Sequence, residues 1–321
     1  MDPKQRMLNR LKAGAGTYAC GGFLTGMDQL HRNEIFTTIL FERLQRKIAM
    51  VQDLYKEALE NWNQTFYLLY FRTLGDSRNQ QAYLELARRV SYKEVLRERL
   101  VPHAIEALFL GASGLLNLYE PDDYTSNLMR TFQHLSAKYQ IEPMSAKEWA
   151  FHGVRPANHP VLRLAEAAEF FAQDDFVMDR TMNCRTEADV RKFFCVEASE
   201  YWMTHHIPGS PSEERPKRIG NFKANIIGIN LVAVLQFAYG SYIGKESLRD
   251  NALTLLEALE AENNRYTRGW YNATGLDAKN AFESQSLLQL ATQYCPEKRC
   301  EECPLGRRIL HKVLQELQNK S

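Results

Sequence analysis

The chain contains 321 residues, of which 45% are hydrophobic and 25% charged, with 40 basic and 39 acidic side chains. This composition is typical of a soluble globular protein, and the formal net charge of +1 gives no general attraction for nucleic acid or an anionic membrane. No apolar run approaches the ~18 residues of a membrane-spanning helix, and the N-terminus lacks the ~7–15 apolar residues of a secretory signal. We therefore expect a cytoplasmic protein with reduced cysteines and no membrane partner. The oligomeric state stays open.

Helical periodicity dominates the sequence, because apolar residues recur every three or four positions along most of it. The stretches that predict helices are, in chain order, 31–60, 61–74, 81–90, 103–116, 124–139, 159–173, 224–244, 246–261 and 278–294. Alternating strand patterns are nearly absent, and KFFCVEA at 192–198 is the one weak candidate. The sequence predicts an all-α fold, either a multi-helix bundle or an irregular helical-hairpin (solenoid-like) array with little or no sheet.

Loop signals divide the chain at few places, and the longest is IPGSPSEERPKRIGN at 207–221, with three prolines. The apolar stretch that begins at Ile226 needs a partner for its burial, so we expect the helical regions on either side of this loop to pack as one unit. The predicted segments are a partly flexible N-terminus (1–30), a helical region (31–206), a Pro-rich basic loop (207–222) and a C-terminal helical region with a cysteine loop (223–321).

Three of the six cysteines lie close together near the C-terminus: Cys295, Cys300 and Cys303. In the spacing C-x4-C-x2-C, the last two thiols reach one ion from a tight turn, as they do in zinc and iron–sulfur sites. A fourth ligand is needed, for which His311 is a local candidate. The remote candidates are Cys20, Cys184 and Cys195. Zinc, a [4Fe–4S] cluster and no metal, with three reduced thiols on a turn, are all open alternatives.

A polar loop, HGVRPANHP at 152–160, precedes one of the predicted helices. Pro160 is typical of a first helical turn, with Asn158 as its cap. Loops that a rigid scaffold positions often carry function, so Arg155, Asn158 and His159 form a possible functional loop. A simple connector between two helices is the alternative interpretation.

Two groups of basic residues are candidates for nucleic-acid binding. They are Arg215, Lys217, Arg218 and Lys223 in and after the long loop, and Arg307 and Arg308 after the cysteines. Clusters of this kind contact phosphates, and Phe222 offers an aromatic ring on which a base can stack. Acidic neighbours dilute both groups, so solvated loops on a near-neutral protein are the alternative.

The cysteine loop resembles the C-terminal loop of helix-hairpin-helix DNA glycosylases, in which four cysteines hold a [4Fe–4S] cluster. It is also similar to the three-cysteine tail of cluster-bearing exonucleases, which take their fourth ligand from a distant N-terminal position. The chain has no hairpin of the LPGVG kind, and no fourth cysteine follows Cys303. The glycosylase activity is therefore not implied.

A broader resemblance spans nearly the whole chain. The blocks that carry it are ILFERLQRK (39–47), NWNQTFYLLYFRTLG (61–75), EALFLGASGLL (106–116), RPANHPVLRLA (155–165), EASEYWMTHH (197–206), NLVAVLQFAYG (230–240) and KNAFESQSLLQLATQYCPEKRCEECPLG (279–306). Their content and order resemble an uncharacterised bacterial family of unknown function, typical of Bacteroidetes.

The resemblance implies a ligand and a partner. Relatives carry a cysteine just before the ERL-containing helix, and Cys20 matches it, so Cys20 is the preferred fourth ligand beside Cys295, Cys300 and Cys303. Longer members carry an N-terminal portion that resembles a restriction-type nuclease core, and this chain begins near the point where that portion would end. We therefore expect no enzyme activity from this chain alone, and a nuclease-like protein as a possible partner.

These observations lead to one functional prediction and one alternative. The prediction is an accessory nucleic-acid-binding helical module with a structural zinc or [4Fe–4S] site. The alternative is a helical protein-interaction scaffold with reduced structural cysteines and no metal. Neither interpretation specifies a reaction or a substrate.

Overall fold

The computed structural model describes residues 3–14, 18, 20–75, 77–173 and 175–318. About 70% of the chain is helical, so the predicted all-α array is confirmed. The helices are, in chain order, α1 (Pro3–Ala13), α2 (Gly21–Thr25), α3 (Gln29–Glu57), α4 (Trp62–Leu74), α5 (Gln80–Arg89), α6 (Tyr92–Glu98), α7 (Ala104–Ala112), α8 (Asp123–Tyr139), α9 (Pro160–Gln173), α10 (Val177–Asn183), α11 (Glu187–Phe194), α12 (Asn221–Ile227), α13 (Ala233–Tyr242), α14 (Glu246–Ala258), α15 (Arg265–Thr274), α16 (Ala281–Gln289) and α17 (Pro304–Gln318). Short 3-10 helices lie at Leu115–Leu118, Ala146–Glu148, Pro156–Asn158 and Glu200–Met203.

Within the described ranges, the sheet consists of β1 (His205–Ile207) paired antiparallel with β2 (Ser210–Pro211). The weak strand prediction at 192–198 is wrong, because its first three residues end α11. The buried residues of that helix are Val190, Phe193 and Phe194, at a spacing of three and four that suits a helix rather than a strand.

Two π-helical turns interrupt otherwise regular helices. The turn Gly228–Val232 joins α12 to α13, so that Asn221–Tyr242 forms one helix of 22 residues. This helix is long and apolar enough to cross a membrane by composition alone, but 72% of its most apolar window is buried inside the protein. It is therefore a core helix, as the sequence predicted. The second turn, Leu290–Tyr294, follows α16 directly.

The chain forms two compact units, one made of Met1–Ala49 with Asp250–Ser321 and the other of Met50–Arg249. The predicted loop at 207–222 lies within the second unit. The division predicted from the sequence, after residues 30, 206 and 222, is not tested by these units and stays a prediction.

The second unit is built around α4, whose ends illustrate how the sequence sets its helices. Asn61 caps the first turn by accepting hydrogen bonds from the N–H groups of Asn63 (2.9 Å) and Gln64 (3.1 Å). The helix stops at Gly75, where a Cβ atom would lie 2.7 Å from the backbone of Gln80. Between these ends α4 packs against α5 with a core of aromatic rings, and α7 packs against α8 and α9.

Candidate metal centre

The N-terminal side of the candidate site is the segment around Cys20, in the first unit. The ring of Tyr18 lies 4.4 Å from that of Trp270, centroid to centroid. Glycines allow this close packing, since a Cβ on Gly269 would lie 2.8 Å from the Tyr18 ring and one on Gly21 would lie 2.0 Å from a Thr274 methyl group. Tyr18 and Gly21 therefore pack closely against α15.

The C-terminal side is the loop between α16 and α17. The π turn ends at Tyr294, and the N–H of the next residue, Cys295, donates to the Leu290 carbonyl at 3.0 Å. The loop then closes back on the start of α17, where Cys303 directly precedes Pro304. Gly306 lies against the loop backbone, because a Cβ there would be 1.9 Å from the Cys300 carbonyl oxygen.

These two segments enclose one pocket. Its lining includes four thiols, which we call the cavity cysteines: Cys20, Cys295, Cys300 and Cys303. The rest of the wall comes mainly from apolar and aromatic side chains, among them Leu11, Tyr18, Trp270 and Tyr294. The pocket encloses about 430 Å³ of space, part of it open to solvent. Four thiols from both ends of the chain thus share one mainly apolar recess.

The electrostatics of the recess disfavour free thiolates. Burial and, next, the thiolate of Cys295 raise the pKa of Cys20 to about 12. Burial and the charges of Cys303 and Cys300 likewise raise the pKa of Cys295 to about 12. Each charged thiol therefore makes the next one harder to ionise, and the metal-free protein keeps these groups protonated at neutral pH.

The other two cavity cysteines have partial compensation for a negative charge. Burial raises the pKa of Cys303, although hydrogen bonds from the backbone of Gly306 and Leu305, at the start of α17, oppose the change. Burial also raises the pKa of Cys300, against the attraction of Lys12. The first turn of a helix and a nearby ammonium group are both environments that stabilise thiolates.

Among the residues that the structure describes, no three or more His, Cys, Asp or Glu side chains are placed to hold one metal ion. Zinc takes thiolates at about 2.3 Å. The donor set itself, four thiols around a recess, fits a cluster ligated by four cysteines.

The family assignment follows from a comparison with protein families. A family described as "Protein of unknown function (DUF2851)" matches residues 2–265. The chain belongs to this family. The DUF2851 match includes Cys20 and ends before Cys295, and it confirms the predicted membership of a family of unknown function. Its bacterial origin and Bacteroidetes type stay predictions. Neither the curated proteins nor the solved structures include a significant match to the chain.

The remaining candidate ligands lie elsewhere. His311, the local alternative, lines a different recess of the first unit, together with Asp28 and His31. Cys184 and Cys195 belong to the second unit. Of the candidates for the fourth position, Cys20 is the one that lines the same pocket as the C-terminal thiols.

The predicted basic residues are not equivalent in the structure. Lys217 is buried, and its ammonium group donates to the carbonyl of Met203 at 2.6 Å and to Ser212 Oγ at 3.2 Å. Lys223 Nζ donates to the Thr73 carbonyl at 3.1 Å. Both ammonium groups therefore donate hydrogen bonds within the second unit. The exposed members of the predicted set are Arg215, Arg218, Arg307 and Arg308.

The possible functional loop contributes one half-buried aromatic contact and two exposed side chains. Arg155 and Asn158 are exposed. Helix α9 begins at Pro160 as predicted, but the prediction that Asn158 caps its backbone is wrong, because the amide oxygen accepts from Arg163 Nη2 at 2.7 Å instead. His159 Nε2 lies 3.3 Å from the Tyr119 hydroxyl, inside the second unit.

Proposed function

We propose that this DUF2851 protein is a metal-binding helical module whose four cavity cysteines hold one iron–sulfur cluster. The observation that supports the proposal is that four of the six cysteines line a single pocket. In the sequence, Cys20 is 275 or more residues away from the other three. Three of these thiols are neighbours in the sequence, whereas Cys20 reaches the same recess from near the other end of the chain.

Zinc and an iron–sulfur cluster hold their ligands at different separations. A single zinc ion draws four sulfurs to about 2.3 Å from one point. A [4Fe–4S] cluster places its own iron and sulfide atoms between the thiolates, so its ligands stand further apart. An apolar and aromatic wall around the thiols also suits a cluster, whose stability depends on limited access of solvent.

The role that we propose is structural. Ligation joins Cys20, which follows α1, to the loop that precedes α17, and these two helices already pack against each other. Because the unfolded chain does not hold the four thiols together, binding contributes directly to the free energy of folding. The positive charge of the metal also removes the mutual repulsion that opposes ionisation of Cys295 and Cys303.

The test is purification without oxygen, followed by absorption spectroscopy and analysis for iron, sulfide and zinc. We expect a brown protein that absorbs near 400 nm, and Cys300→Ser should lose the colour and melt at a lower temperature. Cys184→Ser, which changes a buried thiol of the other unit, is the matched control and should keep its iron. Stoichiometric zinc without iron would contradict the cluster but would still support a metal site formed by the cavity cysteines. Protein without any metal would leave the scaffold with reduced thiols as the better interpretation.

Nucleic-acid binding is a second candidate function, and exposed arginines support it. Arg215 and Arg218 lie in the second unit, Arg307 and Arg308 in the first. Replacing each pair by alanine tests the two groups separately, with the dependence of DNA or RNA binding on salt as the readout. Loss of one pair of phosphate contacts should flatten the salt dependence of that variant. No binding by the wild-type protein at low salt would remove the hypothesis. The nuclease-like partner stays a prediction.

A further inference from the structure

The second unit contains a buried carboxylate, Glu106 of α7, at which three hydrogen bonds converge. Its Oε1 accepts from Trp202 Nε1 at 2.7 Å. Its Oε2 accepts from the hydroxyl groups of Tyr124 at 2.8 Å and of Ser199 at 3.1 Å. A buried carboxylate needs such donors, because it has lost its contacts with water. The phenol group of Tyr124, in α8, is therefore held in place from the inside of the protein.

His103, directly before α7, is tied to the same carboxylate. Its backbone has a φ of +58°, in the left-handed region that is uncommon outside glycine. Its Nδ1 lies 3.2 Å from the Tyr124 hydroxyl and 3.8 Å from Glu106 Oε2. Glu106 raises the pKa of His103 against the opposing effect of burial, and the charge of Glu169 adds to the increase. The imidazole ring is therefore protonated more often at neutral pH than that of an isolated histidine.

His103 and Tyr124 also line an open recess, which is formed by the residues before α7 and by one face of α8. The recess encloses about 1170 Å³, part of it open to solvent. Its wall includes Asn127, Arg130 and His134, which follow one another at intervals of three and four residues and so share a face of α8. Among the described residues of this wall there is no carboxylate. The recess thus offers positive charge and several hydrogen-bond donors to a negatively charged group.

The basic groups of the wall retain donors that the protein itself does not use. In the part of the chain that the structure describes, Nε2 of His103 makes no hydrogen bond. Within the same ranges, neither Arg130 nor His134 forms an ion pair. Arg130 Nη2 donates to the amide oxygen of Asn127, which leaves the other guanidinium nitrogens available. An added anion therefore does not have to displace a carboxylate of the protein.

We infer that His103, Arg130 and His134 form a binding site for a phosphoryl group. The guanidinium fork of Arg130 matches two oxygens of such a group, and the imidazole N–H groups can donate to the others. One permanent and two titratable positive charges suit a group with two negative charges better than a carboxylate, which carries one. The chemistry is shared by inorganic phosphate and by a phosphomonoester, and the experiment separates these sources. The inference depends neither on the metal centre nor on the four exposed arginines proposed for nucleic-acid binding, which lie outside this recess.

Calorimetric titration with inorganic phosphate at low salt tests the site directly. We expect saturable binding with one site per chain. Arg130→Gln should weaken binding roughly tenfold, as the loss of one charge-assisted hydrogen bond does elsewhere. His103→Asn should weaken binding as well, because asparagine tolerates the left-handed backbone but carries no charge. Circular dichroism establishes whether this second variant is folded, and the exposed Arg130 tests the site independently of it.

The matched control is Arg97→Gln, the same change at an exposed arginine of the second unit that lines a different recess. It should bind phosphate like the wild type. Equal binding by Arg130→Gln and Arg97→Gln would overturn the inference, as would the absence of saturable binding by the wild type. A second titration, with phenyl phosphate, separates the two sources of the phosphoryl group. Tighter binding than that of inorganic phosphate would identify a phosphomonoester, whereas equal or weaker binding would identify the free anion.

Discussion

Gly306 and Cys300 lie so close together that a Cβ atom on the glycine would be 1.9 Å from the carbonyl oxygen of Cys300. No side chain can be placed there without moving the loop backbone. We expect Gly306→Ala to displace the loop relative to α17 and to cost about 1–3 kcal/mol, as overpacking does elsewhere. The melting temperature and the metal content should both fall.

Gly22→Ala is the control for this prediction. It also lies beside a cavity cysteine, in α2, but nothing lies within 4 Å of the position that its Cβ would occupy. Its melting temperature should stay close to that of the wild type or rise slightly, because alanine favours a helix over glycine. Similar stability of both variants would mean that the loop adapts, and the close contact would then have no structural importance.

Lys217 holds a loop of the second unit together from the inside. Its ammonium group donates to carbonyl oxygens of Met203, Glu213 and Arg215, at distances of 2.6 to 3.3 Å, as well as to Ser212 Oγ. Lys217→Met keeps a long side chain but removes this donor, so that the Met203 carbonyl keeps only the N–H of Arg215, at 3.0 Å. We expect a loss of about 1–3 kcal/mol in the free energy of unfolding, measured by denaturant titration.

Arg218→Met provides the comparison, since this neighbour is exposed and lies 3.8 Å from the carboxylate of Glu197. Exposed pairs of this kind contribute about 0–1 kcal/mol, so the change should be small. If Lys217→Met were as stable as Arg218→Met, the buried ammonium group would not hold the loop. The two results also show whether the ammonium group of Lys217 is engaged inside the loop rather than available to a phosphate.

How far the sequence predicts this protein depends on whether a signal is local. A helix follows from periodicity along a single element, and its ends follow from local proline and glycine residues. For this reason α9 begins at Pro160 and α4 ends at Gly75 as predicted. The burial of Lys217 in the basic loop is not predictable in this way, because a lysine in a polar, Pro-rich segment has no local feature that indicates burial. The carbonyl groups that accept hydrogen bonds from Lys217 come together only when the loop is folded.

The candidate site shows the same limit. The spacing of Cys295, Cys300 and Cys303 is a local signal, whereas the choice of Cys20 came from a family resemblance and not from the spacing. Nothing local in the sequence indicates that Arg43 contacts Gln285, a residue 242 positions away. A signal was nevertheless present, since the stretch that forms α16 contains five polar residues among nine, where a core helix normally carries apolar ones.

The thiols of the metal-free protein should react slowly. Because the pKa values of Cys20 and Cys295 are raised to about 12, few of these groups are ionised at pH 8, and the thiolate is the reactive form. We expect iodoacetamide to label both about tenfold or more slowly in the folded protein than in denaturant, since the higher nucleophilicity of a basic thiolate offsets part of the effect. Mass spectrometry of chelator-treated protein gives the rates. Labelling at equal rates would show that the recess opens freely to solvent.

The stability of the second unit should depend on pH through His159. Its ring stacks on Phe151 with centroids 5.4 Å apart, and Nε2 lies 3.3 Å from the Tyr119 hydroxyl. Burial, followed by the charge of His206, lowers the pKa of His159 to about 4. In the unfolded chain the same group titrates near 6.5.

The sign of the effect follows from which state takes up the proton first. As the pH falls below 6.5, the unfolded chain is protonated at His159 while the folded protein stays neutral, so the free energy of unfolding decreases until the pH reaches about 4. The stabilising contribution is complete above pH 6.5. His159→Phe keeps an aromatic ring beside Phe151 but cannot titrate, so its melting temperature should change less between pH 7 and pH 5. His206→Phe should remove a further part of the change, because burial lowers the pKa of His206 as well. An unchanged pH dependence in His159→Phe would mean that this histidine is as accessible to protons in the folded protein as in the unfolded chain.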